Sequence, residues 1–130
     1  MRSDVLMRRV LFPAMLIVVF AAGMIVGQNK FGQPKTVIHL VTLKWKTTST
    51  PAQQQAAIEG IKTMAQKIPG IKNIWVKSIR VQPQGNQANF AIEFADEAAA
   101  KVYADHPAHA EWNKIYLEAR EESSSNQVTN

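Results

Sequence analysis

Residues 106–114 read HPAHAEWNK, which places His106 and His109 three apart around Pro107 and puts Trp112 three residues further on. The third histidine of the chain, His39, lies far upstream, and Tyr103 sits just before the motif. Histidine changes charge near neutral pH and is the commonest metal ligand, so the motif raises metal binding and acid–base work together. Proline argues against the first. A residue before proline is pushed out of the α region, so one helix stops at His106 and another starts at Pro107, and the two imidazoles do not project as an i, i+3 helical pair would. No second closely spaced pair of ligands exists and cysteine is absent, so no metal is expected. His106 reads instead as a joint residue whose imidazole accepts from a helix N–H. His109 falls in the first turn of the second helix, where the positive helix end opposes imidazolium and favours a neutral, proton-accepting ring.

Other chemistries are removed by absence. Without cysteine there are no disulfides, no thiolate nucleophile and no zinc–thiolate site. Neither a Gly-x-Ser-x-Gly elbow nor a glycine-rich phosphate loop occurs, so no cofactor is expected. The net charge is +5, but Arg2, Arg8 and Arg9 against Asp4 account for +2 of it, and no Lys/Arg run interleaved with aromatics follows. Nucleic acid is therefore not an expected partner.

The elements that must hold these residues follow from patterning. After the basic start MRSDVLMRR, Val10 to Gly27 run without a charge, a length between a signal-peptide core and a spanning helix. Residues 1–27 are thus expected to be a signal peptide, cut near Ala21, Gly23 or Gly27, or a retained anchor. Either way the arginines stay cytoplasmic and the domain lies outside, periplasmic or secreted if cut and membrane-anchored if not, with residues 10–27 the only membrane contact. Residues 28–35 are a polar linker with Gly32 and Pro34 as breakers, and residues 36–130 form one domain, since 130 residues cannot supply two good cores.

Within that domain, residues 36–46 (TVIHLVTLKWK) alternate as a strand, with Val37, His39, Val41, Leu43 and Trp45 on one face and Ile38 and Leu40 on the other. Thr50, Pro51 and Gln53 predict a helix start with a capping box, Ile58, Ile61, Ala65 and Ile68 its apolar stripe, and Pro69-Gly70 its end. Residues 71–81 and 87–94 read as a hairpin closed by Pro83–Asn86. Asp96 caps a helix that His106-Pro107 breaks, a second helix runs from Pro107 to about Glu122, and a short strand is expected around Gln127 and Val128. The order β-α-β-β-α-(β) is an α+β, ferredoxin-like protomer with helices on one face of an antiparallel sheet. Ile38 and Leu40 make the other face partly apolar, which predicts a homodimer. Trp45, Trp75 and Trp112 read as core or dimer-contact residues, since no cofactor fingerprint accompanies them.

The pieces HLVTLKWK, the helix ending in IPG, NFAIEF and YADHPAH, in this order over residues 37 to about 122, resemble the stress-responsive dimeric α/β-barrel (Dabb) family. The resemblance implies a ferredoxin-like protomer whose sheet pairs with a second copy to close a barrel. Relatives include polyketide cyclases and, more distantly, cofactor-free monooxygenases. In the cyclases a tyrosine and histidines around a pocket carry acid–base chemistry, and the match puts them at His39, Tyr103 and His109. A further third-strand histidine of such cyclases falls on Ala88, whose methyl group cannot relay a proton. A small partly apolar ligand would be lined by Val41, Leu43, Phe90 and Ile92. Two functions remain compatible with these residues: a binding or interaction module, favoured by the incomplete histidine set, and a cofactor-free lyase, cyclase or monooxygenase using a His/Tyr pair.

Overall fold

A computed structural model describes residues 2–28 and 32–130, with side-chain surroundings for 4–20 and 32–130. The chain divides into two units, Met1–Gln33 and Pro34–Asn130. The first is a helix, α1 (Arg2–Gln28). Among the described residues no helix is long and apolar enough to cross a membrane. The side chains of 21–27, which include the small residues expected at a cleavage site, and residues 29–31 of the expected linker lie outside the described residues.

The second unit runs β1 (Val37–Trp45), α2 (Pro51–Lys67), β2 (Ile71–Trp75), β3 (Ala88–Phe94), α3 (Glu97–Asp105), α4 (Pro107–Ala119) and β4 (Arg120–Val128). The four strands form one antiparallel sheet in the order β2-β3-β1-β4. Its helix-facing rows meet α2, α3 and α4 in a single core that contains Val41, Leu43, Ile61, Ile92, Phe94 and Trp112. The expected ferredoxin-like architecture is therefore present, with the last helix split at Pro107.

Local chemistry explains where elements begin. The α2 capping box closes as expected, with Thr50 Oγ1 accepting from Gln53 N at 3.2 Å and Gln53 Oε1 accepting from Thr50 N at 2.8 Å. Asp96 Oδ1 accepts from Ala99 N at 2.8 Å and starts α3. The buried stripe of α2 is Ala57, Ile61 and Met64, with Ile68 buried at the cap, while Ile58 and Ala65 are only partly buried. The helix is rotated about one residue from the expected stripe because Trp112 of α4 seats its indole over Ala57 and Gly60.

Three ends differ from the sequence reading. Strand β2 stops at Trp75 instead of Val81, because Ser78 Oγ accepts from Asn89 N at 2.9 Å and donates to Asn89 O at 3.0 Å. One hydroxyl thus occupies both backbone groups that the next rung would need. Helix α4 stops at Ala119 instead of about Glu122, because Lys46 donates from its backbone N to Ala119 O and from Nζ to Leu117 O, each at 2.8 Å. The residues released there, REESSSNQV, form a nine-residue strand where only a short one around Gln127 and Val128 was expected. Glutamate and serine have little strand propensity, but the free edge of β1 offers a complete ladder, and pairing from Ile38–Val128 to Trp45–Arg120 overrides that local preference.

Candidate functional site

Strand β1, the last turn of α3 and the first turn of α4 bring His39, Tyr103 and His109 together. The Tyr103 ring stands between the two imidazoles, its centroid 5.9 Å from that of His39 and 4.3 Å from that of His109. Phe94 backs the tyrosine at 5.0 Å, and Trp112 lies 6.0 Å from His109 on the far side.

The Pro107 corner creates this arrangement. His106 serves both as the C-cap of α3 and as the N-cap of α4, and its Nδ1 accepts from Ala108 N at 3.1 Å. The expected joint role is therefore met, and it spends the imidazole on the backbone. His109, one turn on, faces back to α3, where its Nδ1 lies 3.2 Å from Ala104 O, a carbonyl of the last α3 turn. A carbonyl only accepts, so in its neutral form His109 carries its proton on Nδ1 and presents Nε2 as a lone pair. Among the described residues no group of three or more His, Cys, Asp or Glu is placed to hold a metal.

Electrostatics favour the neutral forms of His39 and Tyr103. Burial lowers the pKa of His39 from its ordinary 6.5, and the neighbouring His109 lowers it further. Burial also raises the Tyr103 phenol well above its ordinary value of 10, with Tyr116 adding in the same direction. Tyr103 is thus a hydrogen-bond donor and not a base.

A cavity of about 450 Å³ opens between α3 and the β1–β4 edge, with Val37, Ala100, Ala104 and Val128 as its apolar walls. Lys101 and Glu97 stand on the same wall system and supply opposite charges. None of the three rings lines the cavity, but two of its lining residues touch them: Ala104 through the carbonyl held by His109, and Gln127 through its amide beside His39. Val41, Leu43, Phe90 and Ile92 are buried in the core beneath the helices and do not line this cavity. Ala88 pairs with Leu43, four residues along β3 from Ile92, the partner of His39. At about 3.4 Å per residue, it sits roughly 14 Å from the His39 level of the sheet.

The stress responsive A/B barrel domain model matches residues 37–126, which include His39, Tyr103, His109 and all of the sheet except the last two residues of β4. The chain belongs to the Dabb family. No curated protein matches it significantly. Three solved structures share the fold of this Dabb domain. A hydroxynitrile lyase from Passiflora edulis superposes with a TM-score of 0.65 at 18% identity, covering 73% of this chain and 93% of that one. A cofactor-independent oxygenase from Streptomyces nogalater gives 0.60 at 12% identity, covering 74% and 93%. A dimeric ferredoxin-like protein of unknown function from Bacteroides fragilis gives 0.61 at 21% identity, covering 76% and 100%.

One residue of the Dabb domain's site escaped the sequence reading. Gln127 Nε2 lies 3.3 Å from His39 Nδ1, although 88 residues separate them. Glutamine carries no chemical signal of its own. The short strand expected around Gln127 and Val128 was the one available hint, and its register against β1 was not readable.

Proposed function

We propose that this Dabb domain is exported, works as a homodimer, and holds a small, partly apolar molecule in the cavity beside His39, Tyr103 and His109. The observation that carries the binding reading is the cavity itself, apolar on two walls and joined to the polar ring cluster by Gln127 and Ala104. Dimerisation is supported by the outer sheet face. Leu40, Ala91 and Trp75 stand in one row across β1, β3 and β2, with Leu40 42% and Trp75 46% exposed. The Bacteroides fragilis neighbour is itself a dimer. Export rests on the charge-free run Val10 to Gly27 behind three arginines.

A second reading, cofactor-free proton transfer, is favoured by the neutral Tyr103 donor beside the Nε2 lone pair of His109. Such a pair can remove a proton from carbon while hydrogen-bonding the carbonyl oxygen that gains charge. Among the fold neighbours, the lyase and the cofactor-independent oxygenase are named for reactions, but their identity to this chain is too low to carry an activity across.

A single probe separates the two readings. 2-Tetralone combines an apolar bicycle with acidic C–H bonds next to a ketone. The full chain is expected to bind it with saturable shifts of the His39 ring signals, and Ala104→Trp, which fills the cavity, is expected to abolish those shifts. Equal binding by Ala104→Trp, or no saturable shift at all, overturns the cavity as a binding site. If the proton-transfer reading is right, deuterium uptake into 2-tetralone in D2O is accelerated and falls roughly 10²- to 10⁴-fold in His109→Ala. Uptake unchanged in that variant leaves binding alone.

The assembly has its own check. Light scattering of the chain extracted from the membrane or exported fraction of expressing cells is expected to give twice the mass of the recovered chain, which is 14.5 kDa when residues 1–27 are retained, falling to one chain mass in Leu40→Glu. A wild-type monomer sinks the dimer, and recovery of the chain solely from the cytosol sinks export.

A further inference from the structure

Strand β4 contributes more than an edge to the sheet. Its pairing with β1 puts Gln127 directly opposite His39, on the helix-facing side, where the glutamine also forms part of the cavity lining. The contact between the two side chains is directional. An amide nitrogen can only donate, so a hydrogen bond from Gln127 Nε2 to His39 Nδ1 requires Nδ1 to be the unprotonated nitrogen. The neutral His39 ring must then hold its proton on Nε2. The opposite holds at His109, where the Ala104 carbonyl requires the proton on Nδ1.

We propose that Gln127 is a positioning residue that fixes His39 as the Nε2–H donor, so that the two histidines around Tyr103 are held in opposite tautomers with complementary roles. His39 offers a hydrogen to an acceptor on a bound molecule, and His109 offers a lone pair. The division of labour arises from one side chain on the last strand and one helix-end carbonyl, since two isolated neutral imidazoles would each populate both tautomers. The proposal rests on the functional reading of the ring cluster for its use, but its chemistry stands on the hydrogen bond alone. A β4 ending before Gln127 would leave His39 Nδ1 without this donor.

Nitrogen NMR of the histidine rings tests this without any ligand, and the chain has only three histidines to assign. At about pH 8.5, two units above the ordinary histidine pKa, His39 in the full chain is expected to show an unprotonated Nδ1 and a protonated Nε2, and His109 the reverse. His106, whose Nδ1 accepts from Ala108 N, is expected to match His39. In Gln127→Leu the His39 nitrogens are expected to move toward averaged shifts as both tautomers fill. In Gln127→Glu the carboxylate accepts from the ring, so the His39 proton is expected to move to Nδ1 and its pKa to rise by about one unit or more. Unchanged His106 and His109 signals show that each variant is folded. His39 nitrogen shifts unchanged in both variants, or a proton on Nδ1 in the wild type, overturn the role of Gln127. Failure of 2-tetralone to bind or exchange leaves this pattern intact and speaks only against the functional reading.

Discussion

Trp112→Ala is expected to destabilise the domain by about 3–5 kcal/mol, the range found when a large buried aromatic is cut to a methyl group. The indole is 5% exposed and joins α2, α4 and β3 beneath the site. Its Nε1 donates to Ala57 O of α2 at 2.7 Å, its ring stacks on Tyr116 at 4.7 Å and meets Phe90 edge-on at 5.8 Å. Removing it leaves a void between α2 and α4 and withdraws the surface against which His109 lies. Trp112→Phe separates the contributions: it retains much of the stacking and loses the hydrogen bond, for an expected cost of about 1–2 kcal/mol. Urea unfolding of the full chain followed by far-UV circular dichroism measures both. A Trp112→Ala variant within 1 kcal/mol of wild type, on the scale of a surface substitution, would show that the α2–α4 contact is not what holds the helical layer.

Gly70→Ala is expected to cost about 2–5 kcal/mol through two separable effects. Gly70 turns the chain from α2 into β2 at φ +86°, a conformation that costs a residue with a Cβ roughly 1–2 kcal/mol. A Cβ there would also stand 2.6 Å from Ala99 Cβ of α3, and relieving such overpacking typically costs about 1–3 kcal/mol more. Gly85, at φ +102° in the β2–β3 connection, has nothing within 4 Å of its position for a Cβ. Gly85→Ala therefore carries the conformational cost alone, and the difference between the two variants in thermal or urea unfolding isolates the clash. The clash reaches the site as well. Ala99 sits one turn before Tyr103 on α3, so Gly70→Ala is expected to move the Tyr103 ring off His109 and alter the His109 ring signals. Equal costs for the two variants would show that α3 yields freely.

Both substitutions act on features of different legibility. Gly70 was visible from Pro69-Gly70 as a helix end, because glycine after an apolar stripe has a local meaning. That a methyl group there would strike α3 was not visible, because Ala99 lies in a separate element. Likewise Thr50, Gln53 and Asp96 announced their helix starts through short-range hydrogen bonds, all of which formed, and Pro51 did so through its fixed φ at the first helical position. The errors fell where a distant group intervened: Ser78 against Asn89 at the end of β2, and Lys46 against the last carbonyls of α4.

For the site the division is the same. Residue types and near neighbours on the chain were enough to place a proline corner at His106, to spend that imidazole on a helix N–H, and to set His109 in a first turn with Tyr103 one turn behind the corner. Those are contacts within one or two helical turns, where backbone geometry allows few alternatives. The meeting of Tyr103 with His39, the cavity between α3 and the β1–β4 edge, and the donation from Gln127 to His39 were decided by tertiary structure. Each depends on the register of strands far apart in the chain, and a slip of one residue in β4 would turn Gln127 to the other face of the sheet. Strand periodicity says which residues share a face, but only the assembled ladder says which of them stand side by side.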